Sequence, residues 1–366
     1  MTRRERLIAT LKGEAVDRPA VNFYEIDGFD QNPKDLDPFN IYSDPSWQPL
    51  LELASEKTDR IVRRNMRFKN LPVDPIEKLT KIEKYYDQQG SLHIMKIISL
   101  PDRVLTSHVR RDPDVNTYWH LEPLLKNKED LKAYLQLPLP HYNSDLEVDK
   151  NSVIETEQKL GDSGIVMLDI PDPLCLAAEL FTMGEYTIVA LTEQKLFHQL
   201  LERFAAILFP QVVAVARALP GRLWRIYGPE YATPPYLPPK LFEEYVNRYD
   251  IPLIEEIQRY GGWARLHSHG KLKDVLDFIV ATGCSAIDPI EPPPQGDVEL
   301  DYVRQKYGHQ LVLFGNLEIS DIENLETKEF EKKVITALKQ GTAGQGRGFV
   351  LMPSACPYGR KLAKRT

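Results

Sequence analysis

With 366 residues, 42% hydrophobic and 27% charged, this chain has the composition of a globular protein with a substantial core, in one large domain or two ordinary ones. A net charge of -7 excludes a general polyanion binder, so no nucleic-acid partner is expected, and three cysteines (Cys175, Cys284, Cys356) are no disulfide framework. No apolar run approaches the roughly 20 residues of a bilayer span, and the opening Met1-Thr2-Arg3-Arg4-Glu5-Arg6 leads into an amphipathic helix rather than a cleavable segment, so a cytoplasmic protein without a membrane partner is the expectation.

In chain order, a helix reads from about Arg3 to Leu11, followed by a strand over Ala20 to Tyr24 and another near Arg60 to Arg63. The run Arg60, Arg63, Arg64, Arg67 and Lys69 reads either as a solvated face or as a patch for an acidic substrate. Between residues 79 and 124 the period changes to that of β segments broken by Gly90 and Pro101, which predicts an antiparallel insertion rather than a separate domain. From Ser163 onward strands and helices alternate. The strands read as Ile165 to Leu168, Leu223 to Tyr227, Trp263 to Leu266, Ser285 to Asp288, Leu311 to Phe314 and Phe349 to Met352. Between them, Leu196, Phe197, Leu200, Leu201, Phe204 and Leu208 share one helical face, as do Leu241, Phe242, Tyr245, Val246 and Tyr249. Eight strands in repeated β-α units predict an α/β fold, a (β/α)8 TIM barrel spanning 1–366 as a single domain, with an open doubly wound sheet as the alternative. The glycine-rich 341–348 precedes a strand instead of opening a helix, so it reads as a connecting loop and not a phosphate cradle. Twelve residues follow Ser354, fewer than a closing helix after an eighth strand would use, so either the chain is shortened there or another element covers the gap.

In such a barrel the chemistry sits where the strands end. The polar residues there are Glu25 and Asp27, Asp169 and Asp172, Glu230 and Tyr231, His267 and His269, Asp288 and Glu291, Asn316, then Ser354 and Cys356. The pair in Leu266-His267-Ser268-His269-Gly270 can face one site, and imidazoles at that spacing hold a metal if further donors converge; ordinary hydrogen-bonded histidines are the competing reading. Asp172 suits a helix cap, Asn316 suits another, and Cys175 and Cys284 read as core thiols.

The chain resembles the uroporphyrinogen decarboxylase superfamily, and most of all its cobalamin-dependent methyltransferase branch, through Arg4-Glu5-Arg6-Leu7, Gly13-Glu14-Ala15-Val16-Asp17-Arg18-Pro19, Gly228-Pro229-Glu230, Pro239-Lys240-Leu241-Phe242-Glu243-Glu244-Tyr245, His267-Ser268-His269-Gly270, Gly315-Asn316-Leu317-Glu318 and Pro353-Ser354. That resemblance also implies a barrel. Decarboxylases of the family carry an arginine-rich segment after the first strand; here that place reads Phe23-Tyr24-Glu25-Ile26-Asp27-Gly28, and the acidic ring as a whole is expected to repel a polycarboxylate porphyrinogen. The zinc methyltransferases use a His-x-Cys pair and a later Cys. These match His267 and His269, with Ala355 or Cys356 at the later position, and an acid of theirs matches Glu230.

The leading expectation is a methyltransferase with zinc on His267, His269 and Cys356 or Glu230, moving a methyl group between a corrinoid on a partner protein and a small acceptor such as a thiol. Glu230, Asp288 and Glu291 are the catalytic candidates, and Glu25, Asp169, Tyr231 and Asn316 the substrate-binding ones. The alternatives are a metal-free decarboxylase using Arg60, Arg63 and Arg64, a metal-dependent hydrolase, and a binding barrel without chemistry. The resemblance also makes a homodimer a possibility.

Overall fold

A computed structural model describes residues 1–27, 34–142, 146–346 and 348–356. Its framework is eight parallel strands: β1 (Ala20–Val21), β2 (Arg60–Asn65), β7 (Gly164–Pro171), β8 (Leu223–Tyr227), β9 (Trp263–Ser268), β10 (Ala286–Pro289), β11 (Val312–Leu317) and β12 (Phe349–Pro353). They lie in the order β1-β12-β11-β10-β9-β8-β7-β2, curled into the α/β TIM-barrel-like fold that the strand count predicts. The seam between β1 and β2 has no ladder. One residue stitches it: the Asp59 amide donates to Val21 O at 2.7 Å, and the Asp59 carboxylate accepts the Val21 amide at 2.8 Å. Arg6 and Arg18 hold that carboxylate at 2.6 and 2.7 Å, which offsets burying its charge.

Alternation along each strand separates two cores. Ile165, Met167, Leu223, Ala286, Val312, Phe314, Val350 and Met352 fill the barrel interior, with Leu7 and Leu11 packed against them from the first helix, Arg3–Lys12. Thr2 opens that helix with a capping box to Glu5, and Gly13 closes it at φ 73°. Val166, Leu168, Ile170, Trp224, Ile226, Leu266, Ile287 and Leu313 face the helix layer. The helix Gln194–Ala218 is long and apolar enough by length and composition to cross a bilayer, which the sequence reading did not anticipate. Its Phe197, Leu200, Leu201, Phe204 and Val215 pack into the outer core, which accounts for that apolarity. Leu241, Phe242, Tyr245, Val246 and Tyr249 are buried as expected, although a π turn over Glu243–Asn247 interrupts the helix.

The insertion is a separate antiparallel sheet in the N-terminal half: β3 (Thr80–Tyr86), β4 (Leu92–Ser99), β5 (Val104–Arg111) and β6 (Tyr118–Glu122), in that order. It leaves the barrel after the C-terminal end of β2, the end where strand-borne chemistry lies. Residues 357–366 fall outside the described residues.

Candidate active site at the strand ends

The barrel strands run two or three residues beyond their apolar cores, so several candidate residues stand on strands and not in loops. Lateral register brings His267 of β9 beside Asp288 of β10 on one side and Tyr227 of β8 on the other. The Asp288 carboxylate faces His267 Nδ1 at 2.8 Å. The Glu291 carboxylate faces His269 Nδ1 at 2.8 Å and also accepts the Gly270 amide at 2.8 Å. In each pair Nδ1–H donates to the ionised carboxylate, and Nε2 is the ring nitrogen left outside the pair. The rings stand 4.7 Å apart at 88°.

A second arginine layer holds these acids. Arg265, 2% exposed, brings Nε within 2.8 Å of Asp288 Oδ1, close enough for strong attraction though off the hydrogen-bond axis, and lies over the Phe314 ring. Burial alone would raise the Asp288 pKa, but the charges of Arg265 and His267 and the His267 hydrogen bond overcome it and bring it down to about 2. Burial likewise works against the charged form of His269, yet the Glu291 hydrogen bond and the charges of Glu291, Glu230 and Asp288 leave its pKa raised.

On the neighbouring side, Arg225 makes a fork to Asp169 at 2.7 and 2.9 Å, reaches Glu25 at 2.8 Å and donates to the Tyr24 hydroxyl. Arg63 joins from β2, 2.7 Å from Glu25 and 3.5 Å from Asp169. Tyr24 links the two halves, its ring 6.1 Å from that of His267. The acidic ring expected from the strand ends is therefore neutralised from within. Glu25 and Asp169 are balanced by Arg63 and Arg225, and Asp288 by Arg265, so repulsion of an anionic substrate does not follow. The expectation erred because strand-end residues are visible as a list, whereas the inward-pointing Arg225 and Arg265 lie within apolar runs. A charge in the middle of Leu223-Trp224-Arg225-Ile226-Tyr227 and of Trp263-Ala264-Arg265-Leu266 was the available signal.

The basic run resolves likewise. Arg60 and Arg64 are buried structural residues, donating to Asp27 O and Thr156 Oγ1, while Arg63 faces the mouth. Two non-glycine residues here adopt left-handed backbone, Glu25 at φ 57° and Ile290 at φ 56°. For a β-branched isoleucine this is an outlier worth about 1–3 kcal/mol of strain, and it sits immediately before Glu291, the residue that turns back to His269.

The other candidates are placed less centrally. Glu230 accepts the Gly228 amide at 3.0 Å and contributes to the field at His269. Gly228, at φ 127°, has no room for a side chain because a Cβ would strike Asp172 and Cys175. Asp172 caps the helix Pro173–Ala178 as expected. Tyr231 packs edge-on against Tyr186. Asn316 lines a cavity of about 510 Å³ with Glu318, Asp321 and Phe330, and the helix cap expected of it is supplied instead by Glu318. Cys356 packs on apolar groups that include Tyr24, Met352, Ile26 and Trp47. Among the described residues no three His, Cys, Asp or Glu side chains form a group ready to hold a metal.

A methyltransferase from Methanosarcina mazei shares the fold, with a TM-score of 0.58 and 13% identity over 99% of this chain and 95% of that one. No curated protein matches the sequence. The family model for uroporphyrinogen decarboxylase (URO-D) matches residues 113–357, more than half of the chain and the part that carries both imidazoles. The chain belongs to the uroporphyrinogen decarboxylase family and is an enzyme of that superfamily.

Proposed function

We propose that the barrel mouth transfers a methyl group from a corrinoid, carried by a partner protein, to a small acceptor such as a thiol, with zinc on His267 and His269. One observation carries this reading: two carboxylate–imidazole units side by side, each presenting Nε2, the arrangement that orients histidine toward a metal. The donor set fits in part. Two imidazoles with Nδ1 held by carboxylates are present, and a third ligand would have to come from Cys356, from Glu230 or from the acceptor itself. When bound, zinc would keep an acceptor thiol anionic at neutral pH. The shared fold of a solved methyltransferase is consistent with the reading.

The chain's own residues then divide the work. A bound methylcorrinoid would supply the methyl group to the acceptor sulfur and keep the bonding electron pair, so what falls to the protein is to position the acceptor and take its proton. Asp288, held well below the usual carboxylate range, is too weak a base to take the thiol proton; it positions His267. Glu291, whose pKa is also lowered despite burial by its bond to His269, positions that ring. Glu230 is the carboxylate that remains for the proton. The arginine-neutralised wall of Glu25, Asp169, Arg63 and Arg225 keeps the field steady beside the reacting centre.

A decarboxylase without metal is the second reading, favoured by one observation: Arg63, its side chain 39% exposed at the mouth, is a cation able to meet a substrate carboxylate. Elemental analysis separates the two. About one zinc per chain, lost in His267→Ala/His269→Ala together with methyl transfer from free methylcobalamin to a thiol, supports the first. No metal in either protein and transfer unchanged in the variant would sink it, and carbon dioxide release would then favour the second.

A further inference from the structure

Both faces of the antiparallel sheet expose aromatic residues, Tyr85 and Trp119 on one and Tyr86 and Tyr118 on the other, and they differ in how their charges are met. Residues on one face, including Lys81, Glu83, His93, His108 and Arg110, are tied into local pairs: Lys81 with Glu83, Arg110 with Asp112, and Asp87 with His93, which in turn meets His108. The alternate residues form the other face. There Ile82 is 59% exposed, Tyr86 72% and Tyr118 46%, around a half-buried Ile94. Lys84 lies opposite Ile94, and Lys96 opposite Ile82, so the two ammonium groups are diagonal neighbours. None of the strand residues on this face is a carboxylate, and among the described residues neither lysine has an ion-pair partner. Two like charges left uncompensated beside an exposed apolar patch cost stability in the isolated chain, and an acidic protein with an apolar contact centre would relieve both.

Three features select that occupant. A second copy stacked face to face would set lysine against lysine. Polyanions need many more cations than this face offers, on a chain of net charge -7. Both edges of the sheet are guarded against strand addition, β3 by Lys81 and Lys84 and β6 by a bulge opposite His108 and Val109, so contact falls to the face. One residue of the face is also tied to the chain between the first two barrel strands. Its Arg111 grips Asp37 at 2.7 and 2.9 Å and lies over Phe39, on the segment that follows Glu25 and Asp27.

We propose that this face, centred on Ile82, Tyr86, Lys84 and Lys96, is the dock for the acidic carrier protein that brings the methylated corrinoid to the barrel mouth. The assignment of the carrier rests on the methyl-transfer reading above. The test compares two donors, free methylcobalamin and a purified acidic corrinoid-carrying domain loaded with methylcobalamin, on the wild type, on Lys84→Glu/Lys96→Glu and on Lys81→Glu. The last makes the same kind of charge change on the opposite face. The double variant should lose about tenfold or more in kcat/KM with the carrier and keep its rate with free methylcobalamin, while Lys81→Glu should keep both. Raising the salt should weaken carrier turnover by the wild type and leave free-donor turnover alone. An equal loss in Lys81→Glu, no loss in the double variant, or wild-type turnover with the free donor only would overturn the dock. No turnover with either donor would overturn the methyl-transfer reading. The dock would then be judged by sedimentation of the carrier with each protein: binding lost only in the double variant supports it, and binding unchanged or absent overturns it.

Discussion

The two halves of the barrel mouth use the same acids for different ends. Around β1, β2, β7 and β8, Glu25 and Asp169 meet guanidinium groups, which donate several bonds at once and hold their charge, so the result is a fixed neutral wall. Around β9 and β10, Asp288 and Glu291 meet imidazoles, each of which spends one nitrogen on its carboxylate and keeps the other. A carboxylate's role at a strand end is thus set by the number of donors facing it. Where a partner has a nitrogen to spare there is room for chemistry; where it has none there is a wall.

The largest expected effect breaks the histidine half. Asp288→Ala leaves Arg265 charged, buried and unpaired and leaves His267 without its orienter, so unfolding in urea should show a loss of about 3–5 kcal/mol. Arg225→Met tests the wall. It strips Asp169 of its fork, but Arg63 stays within reach of both acids, so a smaller loss of about 2–3 kcal/mol should appear in the same titration. Glu25→Gln is milder again, since both arginines retain Asp169; about 1 kcal/mol is expected. If Arg225→Met proves as costly as Asp288→Ala, the wall is not the redundant structure described here.

A third pair of acids sharpens the comparison because, among the described residues, no cation pairs with it. Asp172 and Asp250 are wholly buried, and burial, with each acid near the other for Asp172, pushes both well above the usual carboxylate range. Their folded forms therefore keep protons that the unfolded chain releases above about pH 3.9. Stability contributed by the neutral forms is present below that pH and falls as the pH rises toward the folded-state values. Asp250→Asn should flatten this decline and raise Tm more at pH 8 than at pH 4. Equal Tm shifts at both would show that the pair does not titrate as described. The smallest effect expected lies far from the mouth: Thr2→Ala removes the side chain that takes the Glu5 amide and should cost about 1 kcal/mol in thermal unfolding.

Much of this architecture could be read from the residues because it depends on local pattern. The barrel strands and the insertion announce themselves by period, the insertion also by Gly90 and Pro101, and Asp172 by its place before Pro173. The site was legible only as a set of candidates. That Asp288 belongs to His267 and Glu291 to His269 depends on which strand lies beside which, a property of register that no window of sequence contains. Arg225 was passed over because an arginine amid apolar residues looks like an interruption of a strand until the direction of its side chain is known. Cys356 attracted attention by its proximity to the family pattern, yet it packs against an apolar cluster built largely from the segment after β1.

The seam at Asp59 bears on how the molecule is made. Ala20 finds its strand partner in Val350, roughly 330 residues further along, so during synthesis at ~5–20 residues per second the first strand waits on the order of 20–60 s for the last to emerge. Over that interval it has one neighbour already in hand. Asp59, gripped by Arg6 and Arg18, fastens the helix Arg3–Lys12, the first strand and the start of the second into a clasp made of neighbours close in sequence. A single carboxylate therefore gives this segment a local register that does not depend on the ring being complete.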